Sequence, residues 1–195
     1  MPLQHQLKRK KLHQRNISCE GFVREDGLWD IEAHLLDSRT YDCSYDQAHR
    51  DGLIKAGEFV HDMWVRITID IDFVIHDADA ASDLTPFGIC SHAATEMKAL
   101  IGIKIGSGWM KQVRERISLR ASCTHLIDLL APISATAYQT LHAELEKRAE
   151  KLPARQKPVI LDTCLALASD GDVVKKRWPK FYQGNSAPVD KEDLA

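Results

Sequence analysis

From Met63 to Ile71, every second residue is a large apolar one: Met63, Val65, Ile67, Ile69 and Ile71. Trp64, Arg66, Thr68 and Asp70 fill the positions between. A period of two lines one face of a β-strand and leaves the other polar, so this stretch cannot be helical. It needs partner strands and a second layer to cover its apolar face. The partners are legible. Ile17, Cys19, Gly21 and Val23 alternate with Ser18, Glu20, Phe22 and Arg24, and Trp29, Ile31, Ala33 and Leu35 follow the same rule. Asp26-Gly27 between the two runs predicts a β-hairpin. Residues 37–57 are polar and read as a loop, and a return strand is expected around Val74 to Ala80.

After Thr85 the period becomes helical. Thr85-Pro86 reads as an N-cap followed by proline at the first helical position. Ile89, Ala93, Met97, Leu100 and Ile101 form an apolar stripe behind it. A short charged helix is expected over Trp109 to Ile117. A third helix should start near Ser122, with Pro132 bringing a kink or a break at Ala131. Strands first and helices after predict an α+β fold: an antiparallel sheet of four or five strands with helices packed on one face.

The chain has 195 residues, and 26 Lys and Arg against 28 Asp and Glu give a net charge of -2. That balance argues against nucleic acid as the main partner. No apolar run approaches the roughly 18 residues of a membrane span, and the basic, polar start is not a secretory signal. Five cysteines, an odd number at irregular spacing, point away from a disulfide framework and toward a reducing cytoplasm. The chain divides into a flexible basic arm (1–14), an α+β domain (15–150), and a connector with a C-terminal extension packing on that domain (151–195).

Two Cys-x-His triplets carry the most chemistry: Cys90-Ser91-His92 and Cys123-Thr124-His125. Each falls in the first turn of an expected helix, where free N–H groups favour thiolate, the nucleophilic and metal-binding form. Two cysteines with histidines are a set that zinc accepts, and thiolate also suits iron. The thirty-odd residues between the cysteines make their meeting a tertiary expectation. The competing reading is two core thiols beside two surface histidines. His61 shares the parity of the apolar residues after it, which fits a side chain pointing toward the helices and equally a strand-end histidine bonded to a backbone carbonyl. His34 shares a strand face with Asp30 and Glu32, as a general base or as part of a solvated face. Asp70, Asp72, Asp77 and Asp79 have no calcium-loop spacing and read as turn chemistry. Lys175 to Lys180 is a short basic and aromatic run that fits a solvated tail. Phosphate-loop, dinucleotide, nucleophile-elbow and zincin motifs are absent from the sequence.

The segments from Glu20 to His34, His61 to Trp64, Cys123 to Leu126 and Lys176 to Pro179 resemble the signatures of a bacterial family known only as a domain of unknown function. That resemblance implies a cytoplasmic bacterial protein and supplies no reaction. Residues 60–145 also resemble the NifU/IscU-type iron–sulfur scaffold in the order of strand pair, Cys-bearing helix start, middle helix and second Cys-bearing helix. The resemblance implies ligand roles for Cys90 and Cys123. Two departures count against a three-cysteine cluster: residues 91–122 contain no cysteine, and the histidine follows Cys123 by two positions. The expected function is a metal- or thiolate-centred lyase or hydrolase acting on a small organic substrate. Zinc or iron would sit on Cys90, Cys123 and His125, with His61 and His92 as catalytic or fourth-ligand histidines. The alternative is a non-catalytic metal or iron–sulfur carrier or adaptor. A homo-oligomer is left open.

Overall fold

The computed structural model describes residues 7–45, 49–118, 120–150, 157–158 and 160–184. It divides into two compact units, Met1–Glu144 and Leu145–Ala195. Among the described residues, the first unit is built on a four-stranded antiparallel sheet. Its strands are β1 (His13–Val23), β2 (Trp29–Arg39), β5 (Phe59–Ile69) and β6 (Ile75–Leu84), adjacent in that order. A two-stranded ribbon, β3 (Cys43–Ser44) and β4 (Leu53–Ile54), lies within the stretch read as loop.

The turns follow from their side chains. Gly27 supplies the positive φ of the β1–β2 turn (82°), and Asp26 Oδ1 accepts the Leu28 amide at 3.2 Å. Between β5 and β6 the Asp70 carboxylate accepts the amides of Asp72 and Val74 and meets His76 at 2.7 Å. That is the turn role expected of Asp70. The start of β6 is flanked by residues 101–105, through bonds such as Ile75 N to Ile103 O at 2.9 Å.

Alternation sorts the two faces of the sheet. Ile31, Ala33 and Leu35 of β2 and Met63, Val65, Ile67 and Ile69 of β5 are buried on the inner face. Met97, Leu100, Leu126, Leu130, Ile133 and Leu141 supply helical core positions in the same unit. Gly21 marks how closely the helical layer approaches β1, because a Cβ there would overlap the Thr140 hydroxyl.

The helical layer departs from expectation in two places. Gly88–Leu100 is a 13-residue 3₁₀ segment whose N-cap is Phe87. Thr85 does not cap it, since its hydroxyl donates to the Phe87 carbonyl instead. The Ser91 and Thr95 hydroxyls donate to carbonyls three residues back, local bonds that compete with a regular α ladder. After α1 (Trp109–Arg116), the third helix is two: α2 (Thr124–Asp128) and α3 (Leu130–Glu150). The break falls at Leu129 because Pro132 has no N–H for the Asp128 carbonyl, and it is accommodated in the first turn of α3 instead.

The second unit holds the end of α3, α4 (Asp172–Arg177) and two short 3₁₀ turns. The Asp162 carboxylate organises it, accepting the amide and hydroxyl of Ser169 and the ammonium of Lys157, and its pKa is held down at about 2. Residues 151–156 and 185–195, assigned above to the connector and tail, lie outside the described residues.

Candidate metal centre

Asp37 continues the inner-face parity of Ile31, Ala33 and Leu35 but carries a carboxylate, and it is only 3% exposed. Directly across the β2–β5 pairing stands His61, 9% exposed. The register shifts beside this pair: Asp37 faces His61 while Ser38 faces Phe59, so Val60 is an extra residue. A bulge of this kind turns consecutive side chains to one side. Val60 and His61 are accordingly both buried. On the other side of β2, Arg15 of β1 is the cross-strand partner of Asp37.

A buried carboxylate needs partners, and Asp37 has them. Arg15 binds it in a fork, Nε to Oδ1 and Nη2 to Oδ2, both at 2.8 Å, and reaches Asp128 with Nη1 at 3.1 Å. His13 Nε2 lies 3.2 Å from Oδ1, and His61 Nδ1 lies 3.1 Å from Oδ2. Burial pushes the Asp37 carboxyl up, but the Arg15 fork and charge outweigh it and hold the group below the usual carboxylate range.

The third member comes from the helical layer. Cys123 is the N-cap of α2, with extended backbone (φ -106°, ψ 128°). This extended start lets Cys123 and His125 turn toward each other, with Sγ and Nδ1 3.6 Å apart. His125 Nε2 then lies 3.9 Å from Asp37 Oδ2, and its ring sits 3.7 Å from that of His61, centroid to centroid. Burial pushes the His61 pKa down to about 4, helped by His125, and burial and Arg15 lower that of His125. Both imidazoles are therefore neutral at pH 7, the state in which a ring nitrogen donates to a metal.

One donor atom from each of Asp37, His61 and His125 lies within 4.8 Å of the other two. Together with His13, Arg15, Arg39 and Val60 they line a small pocket of about 110 Å³. Two histidines and a carboxylate are a donor set used for zinc and for non-haem iron.

The remaining sequence candidates fall around this centre in different ways. Cys123 is beside His125 but outside the group of three. Cys90 is near enough to Cys123 for their charges to interact, and burial pushes its thiol up rather than down. The acidification expected of a helix N-terminus is therefore absent at Cys90. The 3₁₀ segment that carries it gives a weaker dipole than an α-helix, and burial overrides it. His92 is exposed and is not a member of the group. His34 lies on the opposite sheet face, bound to Asp62 at 2.7 Å and stacked on Trp64. Asp37 and Arg15 are the residues that sequence reasoning missed. The parity of Ile31, Ala33 and Leu35, carried one step further, points to Asp37.

A two-layer α+β domain with a carboxylate–histidine group at the end of its sheet defines the class. Residues 13–139 match the family described as "Protein of unknown function (DUF2889)", and the chain belongs to that family. No curated protein and no solved structure matches it. No helix among the described residues is long and apolar enough to cross a membrane.

Proposed function

We propose that the pocket is a metal centre of a lyase or hydrolase acting on a small organic substrate, with Asp37, His61 and His125 as ligands. The convergence of three donor atoms within 4.8 Å in the lining of a pocket carries this reading. Zinc or iron(II), when bound, would be held by Asp37, His61 and His125. Arg15 behind Asp37 and Cys123 behind His125 are then outer partners that fix the ligands' orientation. A metal there supplies a Lewis acid for a substrate oxygen or water. His13, about half exposed at the rim, is placed to pass a proton.

The carrier reading draws on a different observation, the Cys123 thiol beside His125 and the Cys90 thiol near enough to Cys123 for their charges to interact. The two readings separate in one experiment. Untagged protein is loaded with zinc, or with iron(II) under anaerobic conditions, gel-filtered and analysed for metal. Near-stoichiometric metal is expected in the parent, with loss in Asp37→Asn, His61→Ala and His125→Ala and retention in Cys90→Ser and Cys43→Ser. Loss on Cys90→Ser with retention in His61→Ala would favour the thiol-centred carrier. Equal metal in every variant would remove the centre.

A further inference from the structure

Two guanidinium groups line the pocket, and among the described residues only that of Arg15 is paired with carboxylates. Arg15 is committed to carboxylates, with a fork on Asp37 and a third bond to Asp128. Arg39, the last residue of β2, has no carboxylate partner among the described residues. Its Nη1 donates to Cys43 Sγ at 3.1 Å, and its guanidinium lies 5.9 Å and 6.0 Å from the ring centroids of Tyr41 and Tyr45. These partners are a thiol and two aromatic faces, which position a cation without cancelling its charge. The register sets it opposite His13, so Arg39 and His13 bracket the pocket across β1 and β2.

We infer that this pocket binds the oxyanion group of a small ligand, a carboxylate or phosphate, and that Arg39 is the residue that receives it. The inference rests on the proposed reaction site and names its substrate class. A fixed guanidinium whose other N–H groups are uncommitted among the described residues presents the planar fork that matches two oxygens of such a group. The Tyr41 contact comes from the strand-to-ribbon connection and the Cys43 contact from the first residue of β3, so the fork is oriented before a ligand arrives. A pocket of about 110 Å³ has room for a group of a few heavy atoms. With the anion on Arg39, the rest of the ligand lies next to His61 and His125, where the chemistry is proposed.

The test uses the full chain, metal-free, titrated with acetate, malonate or phosphate at constant ionic strength and followed by amide chemical shifts. Chloride serves as the control. Saturable binding is expected for at least one oxyanion and none for chloride, and the separate arms distinguish carboxylate from phosphate. Arg39→Gln should weaken binding by about tenfold or more, the value of a charge-assisted hydrogen bond. His92→Ala should leave it unchanged. Should Arg39→Gln fail to fold, Arg39→Lys decides, because it keeps the charge and loses the fork. Binding unchanged in the variant that folds, or chloride competing equally, overturns the inference. Repeating the titration after zinc loading separates the two proposals. Oxyanion binding without zinc retention removes only the metal centre, and zinc retention without Arg39-dependent binding removes only the oxyanion site.

Discussion

Each face of the sheet carries a histidine on an aspartate, and the two pairs have little else in common. On the outer face His34 Nε2 lies 2.7 Å from Asp62 Oδ1, and its ring is stacked flat on Trp64, 3.7 Å between centroids and 8° between planes. On the inner face His61 lies at the longer distance of 3.1 Å from Asp37, yet a second histidine, an arginine and a pocket converge on the same carboxylate. The shorter contact is the poorer candidate. What separates the pairs is the number of donor groups that burial gathers around one point. The outer pair is a cross-strand contact at a partly solvated surface. The inner pair is a charge that folding has taken out of water and had to compensate.

The largest expected effect tests that difference in energy. Asp37→Ala removes the partner of a partly buried guanidinium and two imidazoles, and should cost about 3–4 kcal/mol. Asp62→Ala, its outer-face equivalent, should cost less than about 1 kcal/mol. Urea denaturation of the metal-free variants measures both, and similar losses would erase the distinction between the faces.

The next effect is in pH. The unfolded chain protonates His61 near its ordinary 6.5, and the folded chain only near about 4. Between those values the unfolded state holds more protons, so stability is complete above pH 6.5 and is lost as pH falls toward 4. The loss should be on the order of 3 kcal/mol. The lowered pKa of His125 acts in the same direction. His61→Gln should flatten this limb of the stability profile, whereas His34→Gln should preserve it. A profile unaffected by His61→Gln would mean that burial is not setting the inner pair's protonation.

The smallest effect probes packing alone. Gly21→Ala puts a methyl group into Thr140 on the inner face and should cost about 2 kcal/mol. Glu20→Ala, one residue away on the outer face, should stay within about 0.5 kcal/mol. Thermal melts of the two variants make the comparison, and equal melting temperatures would show that the helical layer does not press on β1.

Much of the sheet was legible because its period is written in large residues. The alternation from Met63 to Ile71 gave β5 and its inner face and left His61 open between an inward and a strand-end position, while Asp26-Gly27 gave the first turn. The helix breaks were harder. Pro132 announced an interruption but not that Leu129 would take it, since that depends on which carbonyl loses its donor. Thr85-Pro86 looked like a helix start until the Thr85 hydroxyl found the Phe87 carbonyl. The site was half visible: His61 and His125 stood out by residue type, but Asp37 began a polar stretch that composition marks as loop. Arg15 sat at the edge of a strand whose true start is His13. The extra residue Val60, which shifts the register beside the Asp37–His61 pair, leaves no mark in residue type at all.

The single carboxylate of Asp37 also dictates how variation in this region must accumulate. It serves Arg15, His13 and His61 and lies within 3.9 Å of His125, so these four side chains share one carboxylate. Changing one redistributes the oxygens among the others, and the energies of paired substitutions cannot be summed from the single ones. A neutral residue at position 37 changes what is tolerable at 13, 15, 61 and 125 together. Positions 13, 15, 37, 61 and 125 are therefore one energetically coupled unit, to be read by double-mutant cycles rather than one residue at a time.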